Sequence, residues 1–271
     1  MIESIFAFLF GLLIGSFLNV CIHRWPRGRS VVRPRSHCVR CRKTIGWYDN
    51  IPVVSYIVLG GKCRYCGRAI SLRYPAVELI TGLLFFFFVY TMGLTPAALK
   101  LCIFSAMLVG LLFSDLEKRL LPDQFTIGGT VIGLIFSAFV PLPDHTAQML
   151  LWLVGIDVHG TAQSIAESVA GAFMPAFVLW GGGWLYLKIR HKDGLGFGDV
   201  KLVAMAGAFL GLEGALMTLI LGSIAGSILG FGYIKFTGKD PGTYELPFGT
   251  FLGAAGLFVA LVSHKLLTGA L

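Results

Sequence analysis

Five of the fourteen acidic residues in this 271-residue chain stand beside or inside apolar runs: Glu78, Asp115, Asp123, Glu167 and Asp199. Asp115 directly follows Leu111-Leu112-Phe113-Ser114, and Asp199 stands between Gly196-Phe197-Gly198 and Val200-Lys201-Leu202. Two carboxylates that meet at the edge of a bilayer cannot easily ionise together. One keeps its proton and donates to a carbonyl, while the other takes a proton from an attacking water. That is aspartyl-protease chemistry, and it needs no metal. Taken singly, an aspartate at a helix end is more often a cap or an interfacial anchor than a catalyst. Gly196 and Gly198 add a backbone free of side chains that an extended peptide can approach. A nucleotide-binding reading of this glycine-rich stretch fails, since it does not match G-x-G-x-x-G and no βαβ unit surrounds it.

A second group of residues suits a metal. Cys38-Val-Arg-Cys41 and Cys63-Arg-Tyr-Cys66 are two C-x-x-C pairs in the most basic part of the chain. Each short knuckle can present two thiolates to one tetrahedral Zn²⁺, as in a zinc ribbon, with a gap slightly longer than usual. Thioredoxin-like redox chemistry would place one such pair in a βαβ pattern, which is absent. The arginines around the knuckles suit anionic membrane lipid better than nucleic acid, so no nucleic-acid partner is expected. Cys21 and Cys102 lie within apolar runs and read as packing residues.

These groups must be positioned by helices in lipid. The chain is 56% hydrophobic and 13% charged, with a mean hydropathy of +0.79, against about a quarter charged residues in a soluble domain. The pattern is that of an all-α polytopic membrane protein. Uncharged runs at 5–22, 79–99, 101–114, 124–143, 168–187, 202–212, 214–234 and 246–263 give about eight transmembrane helices. The 101–114 run lengthens if it starts at Pro96 and Lys100 snorkels to the interface; the 202–212 run is short enough to be re-entrant. Of the 22 basic residues, 12 lie between residues 23 and 74, which places that segment in the cytosol by the positive-inside rule. Counting onward, both termini fall outside, and the loops carrying Lys118 and Arg119, Lys188 to Lys201, and Lys235 and Lys239 fall inside. The outer loop 141–162 has no Lys or Arg, and its apolar stretch 149–156 suits the interface. Three parts follow: a first transmembrane helix at 1–22, a cytosolic four-cysteine insert at 23–74, and a transmembrane core at 75–271. Fifty-two residues make too small a core alone, so a metal would supply much of the insert's folding energy. Glycines at four-residue spacing (207 and 211; 222, 226 and 230; 249 and 253) read as close helix packing.

Taken together, these motifs resemble one family. Gly196-Phe-Gly-Asp-Val-Lys201 matches the G-x-G-D motif of intramembrane aspartyl proteases, and Asp115-Leu-Glu-Lys-Arg-Leu-Leu-Pro-Asp123 resembles the first-aspartate motif of the bacterial type 4 prepilin peptidases. Gly15-Ser-Phe-Leu-Asn-Val20, Arg24-Trp-Pro26, the cysteine pairs, Trp47 to Val53, Arg73-Tyr-Pro75 with Glu78, and Leu246-Pro-Phe-Gly249 are similar to that family too. The resemblance implies a bifunctional inner-membrane enzyme. It would cut the short basic leader from type 4 prepilins or type II secretion pseudopilins on the cytosolic side, then methylate the new N-terminal amine with S-adenosylmethionine. By motif position Asp115 and Asp199 would be catalytic, with Gly196, Gly198, Lys201 and Asp123 in support. The four cysteines would ligate structural zinc. No motif marks the S-adenosylmethionine site, and Asn19, Arg24, Glu78 and Gly82 are the candidates to hold it. The oligomeric state is left open.

Two alternatives stand beside this reading. A peptidase without the methyl-transfer activity is one, and the cysteine-bearing insert counts against it. A membrane transporter using Asp115 and Asp199 as a proton or ion relay is the other; it calls for carboxylates near the midplane and inverted repeats, and neither is found. A zinc hydrolase would need an open metal position, and no H-E-x-x-H occurs.

Overall fold

The computed structural model describes residues 1–191, 194–237 and 246–268. Among these the secondary structure is helical, apart from two isolated β-bridges. The helices are α1 (Ile2–Arg24), α2 (Val54–Val58), α3 (Arg73–Met92), α4 (Pro96–Lys118), α5 (Asp123–Ser137), α6 (Thr146–Leu153), α7 (Thr161–Arg190), α8 (Phe197–Thr237) and α9 (Phe248–Thr268). Five of them, α1, α3, α4, α7 and α8, are long and apolar enough to cross a membrane. The chain is therefore a multi-pass membrane protein. It divides into two compact units, Met1–Ala98 and Leu99–Leu271. The expected charges Lys192 and Lys239 lie outside the described residues.

In the first unit α1 and α3 meet backbone to backbone. A Cβ on Gly11 would lie 2.8 Å from Gly82 Cα, and one on Gly15 would lie 2.6 Å from Glu78 Cα. Such small-residue seams replace the hydrophobic drive that lipid removes. The other side of α1 leaves Phe6, Leu9 and Phe10 exposed, as a lipid-facing stripe requires.

In the second unit α4 is the most buried of the five spanning-length helices. Its Phe104 stacks on Phe209 of α8 with ring centroids 4.8 Å apart. α7 and α8 pack through Gly171 and Gly207, where a Cβ on Gly207 would overlap the Gly171 carbonyl.

Three sequence expectations need correction. The uncharged run 79–99 is not one helix: α3 begins at Arg73 and ends at Met92, and α4 starts at Pro96. Gly93, with φ 68°, breaks the run, and an uncharged turn leaves no mark in a hydropathy pattern. Lys100 does not snorkel; it is 1% exposed. The 202–212 run is neither isolated nor so short, because the helix starts at Phe197 and reaches a break at Gly211, where φ is 80°.

The stretch 141–162 holds α6, whose Met149, Trp152 and Leu153 are exposed. Buried side chains staple it down. Glu167 on α7 accepts from the backbone N–H groups of Ala147 (2.6 Å) and Gln148 (3.1 Å), which caps α6. Ser164 accepts from Leu142 N–H at 3.1 Å. Asp144 accepts from Glu213 N–H at 3.3 Å, just past the Gly211 break.

Candidate active site

The end of α4 sets the first aspartate. Asp115 is 5% exposed, and the helix stops four residues on, where Arg119 takes a left-handed φ of 53° and its N–H bonds to the Asp115 carbonyl. Ser114 Oγ donates to the Leu120 carbonyl at 2.9 Å, folding the turn that delivers Pro122 and Asp123 to the start of α5. Asp199 lies in the first turn of α8, 9% exposed, with its N–H on the Gly196 carbonyl at 3.0 Å.

The backbone around both aspartates closes on one side chain. Leu121 packs between their neighbours: a Cβ on Gly198 would meet its Cδ1 at 3.1 Å, and one on Gly249 would meet it at 2.9 Å and Asp115 Cγ at 3.2 Å. A side chain at Gly249 would thus press on the Asp115 carboxyl, so this glycine serves more than helix packing. Lys201 forms an ion pair with Asp123, joining the starts of α8 and α5. The sequence-predicted residues Asp115, Asp199, Gly198, Lys201 and Asp123 therefore gather in one region of the second unit, with Gly196 beside Asp199.

One residue was missed. Thr250 donates its N–H (2.6 Å) and its Oγ–H (2.8 Å) to Asp115 Oδ2. It directly follows Leu246-Pro-Phe-Gly249, and nothing in charge or spacing singles it out.

In the first unit the four cysteine sulfurs lie within 4.8 Å of one another, and Cys38 Sγ and Cys66 Sγ are 3.8 Å apart. A tetrahedron with metal–sulfur bonds of about 2.3 Å has edges of about 3.8 Å, so the group fits one thiolate-bound ion. The two knuckles repeat each other. Cys38 N–H bonds to the Lys43 carbonyl and Cys63 N–H to the Arg68 carbonyl; Arg42 and Gly67 return their N–H groups to Cys38 and Cys63. Backbone N–H groups aimed at its sulfur hold the Cys38 thiol down at about 6, which favours thiolate. Arg64 clamps Asp49 with two bonds of 2.8 and 2.6 Å, and holds that carboxyl below the usual carboxylate range. Asp49 thus ties the second knuckle to the turn at Trp47–Asn50.

The four candidates for the methyl donor separate. Asn19 Nδ2 donates to the carbonyls of Gly15 (3.3 Å) and Tyr74 (3.0 Å), binding α1 to α3. Glu78 accepts from Val53 N–H at 2.8 Å, and Gly82 packs under Leu12 and Phe8. Arg24 alone of the four lines a cavity of about 430 Å³ between α1 and the insert.

The comparisons follow the same division. The bacterial peptidase A24 N-terminal domain matches residues 9–92, and the type IV leader peptidase family matches residues 102–231. The chain belongs to the type IV leader peptidase family. Relatives named prepilin leader peptidase/N-methyltransferase include that of Aeromonas salmonicida, 36% identical over 94% of this chain and 89% of its own length. That of Pseudomonas aeruginosa is 34% identical over 94% and 88%. The Myxococcus xanthus relative is 38% identical over 87% of this chain, which spans 64% of that protein's length. No solved structure matches the chain.

Proposed function

We propose that the protein is a membrane-embedded aspartyl endopeptidase that removes the short basic leader of type 4 prepilins or type II secretion pseudopilins. It then N-methylates the new N-terminal residue with S-adenosylmethionine. The observation that carries the peptidase reading is the buried pair Asp115 and Asp199, one of them held by Thr250.

The pair divides the labour. Two donors on Asp115 Oδ2 favour the charged form there, and repulsion between the two carboxylates leaves the proton on Asp199. Asp115 takes a proton from the attacking water as the water oxygen bonds to the scissile carbonyl carbon. Asp199 donates its proton to the carbonyl oxygen. As the resulting diol collapses, one hydroxyl returns its proton to Asp199, the C–N bond breaks, and the leaving amine receives the proton held by Asp115. Lys201 and Asp123 hold the two helix starts in register.

Zinc held by Cys38, Cys41, Cys63 and Cys66 would have four protein ligands and no open position, so it would supply folding energy to the insert. The reading takes eight crossings, counting α8 as two arms, with α5 and α9 as further spans. It places residues 1–22 as the first span, 23–74 as the cytosolic insert and 75–271 as the peptidase core. The protein would sit in the bacterial inner membrane with both termini periplasmic and the aspartates facing the cytosol; the basic insert supports that orientation.

The test incubates purified protein with a prepilin peptide and labelled methyl donor, scoring cleavage and methylation together. The reading expects both. Methylation without cleavage would remove the peptidase, and cleavage without methylation would remove the second activity.

A further inference from the structure

The cavity of about 430 Å³ in the first unit lies within the roughly 300–1,000 Å³ range of small-molecule sites. Its walls use residues that the aspartate pair leaves unexplained. Ser16, Phe17 and Arg24 come from one face of α1, and Trp47, Asn50 and Pro52 from the turn before α2. All six fall within the N-terminal motifs noted in the sequence. Trp47 is 76% exposed, a large aromatic at a cavity wall with little covering it.

From these features we infer that this cavity is where the methyl donor sits, with Trp47, Phe17 and Arg24 as its principal contacts. The inference rests on the methyltransferase reading above and locates its site.

The chemistry of the lining suits the donor group by group. An exposed indole offers a stacking face to an adenine ring. Aromatic faces attract a sulfonium without neutralising it. Arg24 points two donors at the Ser30 and Pro34 carbonyls (3.0 and 2.7 Å), which fixes its guanidinium and leaves its charge for a carboxylate. Arg35 lines the same cavity, and no Asp or Glu does among the described residues.

The second substrate must reach the donor as a neutral amine, because an amine attacks a methyl group only with its lone pair free. As the amine nitrogen bonds to the methyl carbon, the carbon–sulfur bond breaks and its electron pair stays on sulfur as a neutral thioether. The methylated ammonium then loses one proton to water.

The test measures binding of S-adenosylhomocysteine, the demethylated donor, to the full-length zinc-loaded protein by calorimetry in detergent. Trp47→Ala should weaken binding roughly tenfold or more, as loss of a stacked base does, and Trp47→Phe should recover most of it. Zinc content and the thermal midpoint, unchanged in both variants, would show the insert intact. Labelled donor cross-linked by ultraviolet light should attach within residues 13–52. Wild-type affinity in Trp47→Ala, or label found only outside that segment, would overturn the site while leaving the methyltransferase reading in place. A wild-type protein that neither binds the ligand nor methylates a pre-cleaved peptide would overturn both. If Trp47→Ala loses zinc or its thermal midpoint, Arg35→Ala at the exposed rim carries the test: an unchanged affinity there counts against the site, and a several-fold loss supports it.

Discussion

At the scale of single residues, the proposal turns on which oxygen of the aspartate pair carries charge. Thr250 gives Asp115 Oδ2 both a backbone and a hydroxyl donor. Thr250→Val keeps the N–H and removes the hydroxyl, so the Asp115 carboxylate loses one of two supports. A hydrogen bond to a charged group contributes about 1.5–3 kcal/mol, so kcat should fall about ten- to a hundredfold and the acidic limb of the rate profile should move to higher pH. Thr250→Ser should restore both. A Val variant with wild-type kcat and an unmoved acidic limb would remove the role given to this side chain. Asp115 and Asp199 were legible in the sequence because charge at membrane depth is rare and stands out. Thr250 was not, because a hydroxyl beside an apolar run has many uses and its partner lies 135 residues away.

At the scale of elements, the two cysteine knuckles offer an internal control. Gly67 holds φ 64° in the second knuckle, and Arg42 holds φ 58° at the equivalent place in the first. A left-handed side chain costs about 1–2 kcal/mol, partly offset by the greater chain entropy glycine brings to the unfolded state. Arg42→Gly should therefore stabilise the insert by about 0.5 kcal/mol, seen as slower zinc loss to a chelator. Faster loss would show that the arginine has a use the backbone does not reveal. The stretch 141–162 makes a separate prediction. Burial, followed by the charges of Glu213 and Glu167, pushes the Asp144 carboxyl up to about 6, with His145 acting the other way. An acid harder to ionise folded than unfolded favours the fold when protonated, so its contribution is lost as pH rises from about 4 to about 6. Hydrogen exchange of residues 138–160, corrected for intrinsic rates, should therefore slow as pH falls from 7 to 5. Asp144→Asn keeps an acceptor for Glu213 N–H and should flatten that dependence. An equal slope in the variant would assign the effect to His145 or another group. The helices were legible as uncharged runs, but their ends were not. Gly93 breaks a run without any polar signal, and Lys100 is buried although a free lysine would reach for water.

At the scale of the whole molecule, two compact units match two family descriptions, which suggests that the two activities separate. In the proposed mechanism proton exchange between Asp115 and Asp199 serves hydrolysis alone, whereas methyl transfer needs a neutral amine held in line with the donor. Asp115→Asn should methylate a peptide that already begins at the mature residue at a rate close to wild type. Failure to do so in a folded protein would place both reactions in one site. The four-cysteine cluster was legible in the motifs. The cavity beside α1 was not, since its walls join residues of α1 to a turn more than twenty positions further along the chain.

The central claim is that Asp115 and Asp199 perform the cleavage, and substitution of each by the isosteric amide tests it most directly. Asparagine keeps the shape of the side chain and cannot cycle a proton. Cleavage of a full-length prepilin in membranes should fall to background in Asp115→Asn and in Asp199→Asn, with insertion and zinc content unchanged and with Asp123→Asn much milder. Full cleavage by either of the first two variants would contradict the account.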